Sequence, residues 1–395
     1  MSKVGTEMKI PYGRQNINRA DKSAVLRTLS SEFLTQGPQV EKFEGLLGEL
    51  TSARFQVATN SATSALHLAC LALDVGSGDL VWTSAITFVA SANCALYCGA
   101  TVDFVDIDPA THNMSVEALE AKLVQAELNG KLPKVVIPVH FAGRSADMRQ
   151  IKSLSDRFGF SIIEDASHAI GARFEGLPVG NCAFSDIVVF SFHPVKIITT
   201  GEGGAALTNN ANLATRMRLL RSHGITRDKT QMIDDSRPDW YYEQLHLGFN
   251  YRMTDFQAAL GVSQIRRLGK FLKRRRTIAS RYKRLLDRVG VKLPNFEELE
   301  SSSWHLFVIE TIGEANEEKR DGLFRSLRSA GILVNLHYIP VYRHPYFSKL
   351  GFDPTSFPVA EKYYSSAMSL PIYPGLTKWQ QSKVSRHITN FFRNK

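Results

Sequence analysis

Cysteine is scarce in this chain. There are four in 395 residues, Cys70, Cys94, Cys98 and Cys182, and no two stand in a CxxC pair. This excludes the paired-thiol motifs of metal and redox sites. Cys94 and Cys98 are four apart and share a helix face, which suits small buried thiols better than metal ligands, so no metal is expected. Long apolar runs are missing as well. No stretch approaches the roughly 18 residues of a membrane span, and MSKVGTEMKI lacks the apolar core of a signal peptide. A cytoplasmic protein with no membrane partner is the expectation. Internal repeats and low-complexity segments are also lacking.

What is present is the composition of a globular protein, 44% hydrophobic and 22% charged. The length exceeds one ordinary core, so two lobes are expected. The formal charge of +10 permits an anionic partner. Much of it sits in Lys270–Arg276 (KFLKRRR) and in Arg281, Lys283, Arg284 and Arg288. No nucleic-acid recognition motif accompanies this run, and a solvated basic helix is the better reading; no nucleic-acid partner is expected.

Strands and helices alternate through the first half. Strand patterns fall at Phe55–Ala58, Asp79–Ser84, Thr101–Asp106, Lys134–Val139 and Phe160–Asp165. Helical spacing covers Phe88–Cys98, Val116–Leu128 and Met148–Phe158. Such alternation argues a mostly parallel sheet with helices on both faces, running to about Asn209. Beyond it, 211–224 reads as helix, Thr226–Tyr242 as a polar loop and Thr254–Arg288 as helix-rich. Strands at Trp304–Thr311 and Ile332–Tyr338, with a helix at Glu317–Arg328 between them, give a βαβ-like end before a last helix, Lys378–Phe392. The expected division is a large domain with an N-terminal segment, 1–250, and a small α+β domain, 251–395.

The stretch that organises the chain is AFSDIVVFSFHPVKIITTGEGGA. Ile187–Phe190 is a short β-branched run suited to burial on both faces, followed by a proline-interrupted turn and Lys196. A lysine just past a buried strand is held at the sheet end where open α/β folds bind ligands. Desolvation and a cationic neighbour would favour its neutral amine, which can attack a carbonyl. Lys196 is therefore expected to carry pyridoxal 5'-phosphate (PLP) as a Schiff base.

PLP further needs an acid for its ring nitrogen, a partner for its ring face and a phosphate cup. Asp165 ends the strand FSIIED, where a carboxylate can reach the ring nitrogen, although it also suits a helix cap. Ser61-Ala62-Thr63-Ser64 opens a helix whose free N–H groups suit a phosphate. Phe88 follows a strand and can cover the ring, and Ser191 can add a hydroxyl to the cup.

These pieces carry a resemblance. Ser61-Ala62-Thr63-Ser64-Ala65-Leu66, Glu164-Asp165-Ala166-Ser167-His168 with Gly171-Ala172, SFHPVKIITTGEGG and GFNYRMTDFQAALG look like the DegT/StrS-type sugar aminotransferases, of the fold-type-I PLP class. The resemblance spans about residues 10 to 390. It implies that Lys196 bonds the cofactor and shuttles the proton, that Asp165 meets the pyridine nitrogen and that His168 lies near the ring hydroxyl. Ala62, Thr63 and Ser191 would form the phosphate cup and Phe88 the ring stack. Asn250 would reach the phosphate across an interface, which implies a homodimer with shared sites. Glu202 and Arg252 would lie beside the substrate. Ile197 departs from the family, which commonly has asparagine there.

IPYGRQNI, SSEFLTQGPQVEKFE, WYYEQLHLGFNYRMTD and NLHYIPVYRHPYF look further like the pseudaminic-acid branch of the family. That implies a UDP-linked 4-keto-6-deoxy-N-acetyl hexosamine as substrate and L-glutamate as donor, with Tyr12, His337 and Tyr338 lining the sugar-nucleotide cleft. A UDP-pentose or GDP-hexose substrate and glutamine as donor stay open. A PLP-dependent sugar dehydratase on the same scaffold is disfavoured, because such relatives carry histidine where Lys196 stands. A PLP-free nucleic-acid-binding or regulatory protein using the basic helix is the alternative of another class.

Overall fold

The structure, a computed structural model, describes residues 9–393 apart from 235, 298, 314 and 315. It opens with a two-residue strand, β1 (Ile10–Pro11), then α1 (Arg19–Leu29) and α2 (Pro38–Thr51). Asn18 starts α1 through a reciprocal capping box with Asp21. Alternation follows: β2 (Phe55–Thr59), α3 (Ala62–Ala72), β3 (Leu80–Ser84), α4 (Ala90–Tyr97), β4 (Thr101–Val105) and α5 (Val116–Leu128). Next come β5 (Val135–Ile137), α6 (Met148–Phe158), β6 (Ser161–Asp165), a small hairpin of β7 (Arg173–Phe174) and β8 (Leu177–Pro178), β9 (Ile187–Ser191), β10 (Gly204–Thr208) and α7 (Ala211–Arg221).

Seven strands form one sheet in the order β2-β10-β9-β6-β5-β3-β4. From β9 to β4 neighbours run parallel, whereas β10 is antiparallel to both β2 and β9. The C-terminal ends of β2, β3, β6 and β9 and the start of β10 therefore share one edge. Every residue of β9 and β10 is buried, as the unbroken apolar runs require of central strands.

The polar stretch after α7 carries only the short pair β11 (Ile225–Thr226) and β12 (Glu243–Gln244). Then α8 (Asp255–Ile265), past the expected division at residue 250, packs against α1 and α2. The long helix α9 (Leu268–Leu286) leads to β13 (Val291–Lys292), β14 (Phe307–Thr311), α10 (Asn316–Ser329) and β15 (Ile332–Leu333). Short α11 (Pro345–Ser348), α12 (Pro358–Ser366), β16 (Ala367–Leu370) and α13 (Lys378–Arg393) complete the chain. A second core gathers Ile278, Tyr282 and Leu286 of α9 with Phe307, Leu323 and Val384.

The βαβ-like end is corrected here. β14 is flanked by β13 and β16, both antiparallel, in a three-stranded sheet. β15 lies instead parallel to β1, with Ile10 opposite Ile332 and Pro11 opposite Leu333. The strand expected from Trp304 begins only at Phe307, because Trp304 takes a left-handed conformation at φ 52°. The strand expected to reach Tyr338 ends at Leu333, and the chain then turns along the cleft described below.

The basic helix is also explained. Arg275 is buried, and its guanidinium donates to the carbonyls of Trp304, His305 and Ile372, each at 3.1 Å. Arg274 donates to Pro374 and Leu376 oxygens at 3.2 and 2.6 Å, Arg276 pairs with Glu300, and Lys283 lies over the Phe296 ring. These cations tie the second core together.

Candidate active site

The site grows from the sheet edge where the strand ends meet. Loop 192–203 leaves β9 and returns to β10. It is closed by Phe192 N–H donating to the Gly203 oxygen (2.8 Å) and by Thr200 N–H and Thr199 Oγ1 donating to the Phe192 oxygen (3.0 and 2.9 Å). Ile197 and Ile198 are buried beneath it and anchor the loop by apolar packing. Lys196 stands above them, partly open to a cleft of ≈ 1180 Å³.

Burial lowers the Lys196 amine to about 8, and Asp165 opposes this only partly. The expected neutral amine is thus favoured by desolvation; no cationic neighbour contributes among the described residues. Asp165 ends β6, buried, with Oδ1 accepting from Ser167 N–H (3.0 Å) and Oδ2 from the Ser91 hydroxyl (2.6 Å). It faces the cleft rather than capping a helix.

At the other end of the cleft, Ser61 caps α3 by accepting from Ser64 N–H at 3.1 Å. A helix start leaves the N–H groups of Ala62 and Thr63 without intrahelical acceptors. Gly204 makes their approach to the sheet feasible, since a Cβ there would lie 2.5 Å from the Ala62 nitrogen. Ser191, the last residue of β9, lies opposite Gly204 in register.

The far wall combines His168, just past β6, with Tyr12 after β1 and with His305, His337 and Tyr338 from the C-terminal part. His168 Nε2 and the Tyr338 hydroxyl are 3.0 Å apart with the two rings stacked. His337 packs on Tyr12 and its Nδ1 meets the Ser369 hydroxyl at 2.8 Å. His305 stands with its ring 4.4 Å from that of His168. Burial, before any charge, holds His168 and His305 well below the ordinary histidine range and takes His337 down to about 3. Burial likewise raises the Tyr12 and Tyr338 phenols. The wall is therefore uncharged at neutral pH.

Of the site residues expected from sequence, all line this cleft except Asn250 and Arg252. Those two lie on a neighbouring segment: Arg252 bridges to Thr59, Asn250 bridges to Ser222, and Asn250 is exposed. Thr87, Ser91, His193, His305, Gln257 and His344 were not singled out from sequence. Ser91 alone had a local signal, standing one helical turn after Phe88.

The residues fit PLP. His168 Nδ1 is buried with no hydrogen-bond partner, the first N–H groups of α3 are free, and Gly204 keeps a hollow that a side chain would fill. A sheet edge that gathers an uncharged-prone lysine, a strand-end carboxylate and a helix start defines a fold-type-I PLP-dependent transferase, with PLP as its cofactor. Residues 15–389 match the DegT/DnrJ/EryC1/StrS aminotransferase family. A UDP-4-amino-4,6-dideoxy-N-acetyl-beta-L-altrosamine transaminase of Campylobacter jejuni is 37% identical over 92% of each chain. Helicobacter pylori PseC, an aminotransferase involved in the biosynthesis of pseudoaminic acid, superposes with a TM-score of 0.88 at 30% identity, covering 98% of this chain and 100% of that one. Spr1654 of Streptococcus pneumoniae in its PLP form gives 0.88 at 29% identity over 98% and 99%. The chain belongs to the DegT/DnrJ/EryC1/StrS aminotransferase family and is a sugar aminotransferase. The PLP-free alternative is thereby overturned.

Proposed function

We propose that the protein transfers the amino group of L-glutamate to the 4-keto carbon of a UDP-linked 4-keto-6-deoxy-N-acetyl hexosamine, in pseudaminic acid biosynthesis. The observation that carries the reading is the pairing of a transaminase relative 37% identical along 92% of the chain with a cleft large enough for cofactor and sugar nucleotide together. Its uncharged far wall, Tyr12, His337 and Tyr338, suits a sugar, offering ring faces and neutral hydrogen-bonding groups.

Bound PLP supplies an electron sink for the bonds made and broken at the amino-bearing carbon. Lys196 holds the cofactor through its amine. Lys196 Nζ would take the proton from the donor α-carbon and, in the second half-reaction, move the proton at the sugar C4. With PLP bound, Asp165 would keep the ring nitrogen protonated, Phe88 would cover one ring face, and His168 would address the ring hydroxyl. The N–H groups of Ala62 and Thr63 and the Ser191 hydroxyl receive the phosphate. Glu202, which lines the cleft, borders the substrate.

Asn250 would complete a partner's phosphate cup in a homodimer. Exposed apolar side chains on the same loop support this, with Trp240 74% and Leu247 84% accessible. The test is incubation with glutamate and a panel of nucleotide 4-keto sugars, with products read by mass. Amination of the UDP-linked N-acetyl hexosamine ahead of the rest is expected. Preference for a UDP-pentose or GDP-hexose, or for glutamine as donor, would overturn the specific reading.

A further inference from the structure

The turn that carries Phe88 also carries two buried hydroxyls, Thr87 and Ser91, four residues apart. Thr87 Oγ1 and Ser91 Oγ are 2.8 Å apart, and the Ser91 hydroxyl donates to Asp165 Oδ2 at 2.6 Å. Each hydroxyl has one proton. Because the ionised carboxylate can only accept, the proton of Ser91 is committed to Asp165. Thr87 must then donate to Ser91, and the direction of the chain is fixed: Thr87 to Ser91 to Asp165.

Ser91 is fully buried and Thr87, at the cleft wall, is 2% exposed, so the two hydroxyls partner each other rather than bulk water. Asp165 Oδ1 is held separately by Ser167 N–H. With one oxygen fixed from β6's own continuation and the other from α4, the carboxylate cannot rotate. Asp165 itself lines the cleft. The same turn places Phe88 between the two hydroxyls in sequence, so the aromatic group at the ring face and the carboxylate at the ring edge share one support.

We propose that Ser91, oriented by Thr87, is a positioning residue that sets how firmly Asp165 holds the proton on the cofactor's ring nitrogen. This rests on the assignment of Asp165 to that nitrogen.

The experiment uses the full chain reconstituted with PLP and compares Ser91→Ala, Thr87→Val, Thr87→Ser and Asp165→Asn. Three quantities are read: the PLP dissociation constant, the pH midpoint of the bound cofactor's visible band, and the melting temperature of the cofactor-free protein. Ser91→Ala is expected to weaken PLP binding about tenfold, as for loss of one hydrogen bond to a charged group. It should also raise the band's midpoint by about half a pH unit, since a less firmly held ring proton withdraws fewer electrons. Thr87→Val should give about a threefold loss in the same direction, and Thr87→Ser should restore both readings. If Ser91→Ala does not fold, the Thr87 pair decides.

A lower melting temperature with unchanged PLP affinity and band midpoint would make the hydroxyls merely structural and overturn the proposal. Unchanged readings in Asp165→Asn would overturn the ring-nitrogen assignment and the proposal together. A large loss in Asp165→Asn beside no change in the hydroxyl variants would overturn the proposal alone.

Discussion

Two cations near the centre of this molecule invite comparison. Arg275, in α9, is buried against three carbonyl oxygens at 3.1 Å, and burial takes it down to about 10. Lys196, at the sheet edge, is taken down to about 8, and among the described residues its amine has no hydrogen-bond or ion-pair partner. A guanidinium that fans out to carbonyls stays charged and joins structural parts. An amine withdrawn from water without acceptors is left prone to lose its proton and react. The same loss of solvent thus has opposite uses, and the presence of acceptors decides which.

The comparison can be broken most sharply at the lysine. Lys196→Ala should lower turnover about ten-thousand-fold or more, as for loss of a proton-transfer group that also bonds the cofactor, with the circular dichroism of the fold unchanged. Turnover near that of the unaltered protein would refute its role. Arg275→Met should act on stability instead. Leaving three buried carbonyls without a donor should cost about 3 kcal/mol, read as a lower denaturant midpoint, while protein that does fold keeps its cofactor spectrum.

The smallest effect sharpens the sign. A lysine lowered to about 8 binds fewer protons folded than unfolded between pH 8 and its ordinary 10.5. Stability should therefore rise as pH climbs through that window, and the penalty should be fully present below it. Capture of PLP by the cofactor-free protein should quicken with a midpoint near pH 8. A midpoint near 10 would show an amine no different from one in water.

Much of this was legible in advance for physical reasons. Val116–Leu128 and Met148–Phe158 coincide with their helices because Ser115 and Asp147 cap them and the apolar spacing is unbroken. Ile187–Phe190 reads as a central strand because nothing polar interrupts it. The elements around Trp304 and Ile332 were misread where local pattern lost to long-range pairing: β15 finds its partner more than 300 residues upstream. The gathering of Lys196, Asp165 and the Ser61–Thr63 turn at one cleft was legible because each stands at or just past the end of a strand. His305 was not, since what places it beside His168 is contact between distant elements rather than any local signal.

That long-range pairing has a consequence for how the protein is made. Ile10 and Pro11 leave the ribosome some 300 residues before the backbone that receives them, Ile332 and Leu333, and before the amide of Ile372 that donates to the Tyr12 oxygen. The seven-stranded sheet can assemble during synthesis, whereas the cleft can take its final shape only after Ile372 has emerged.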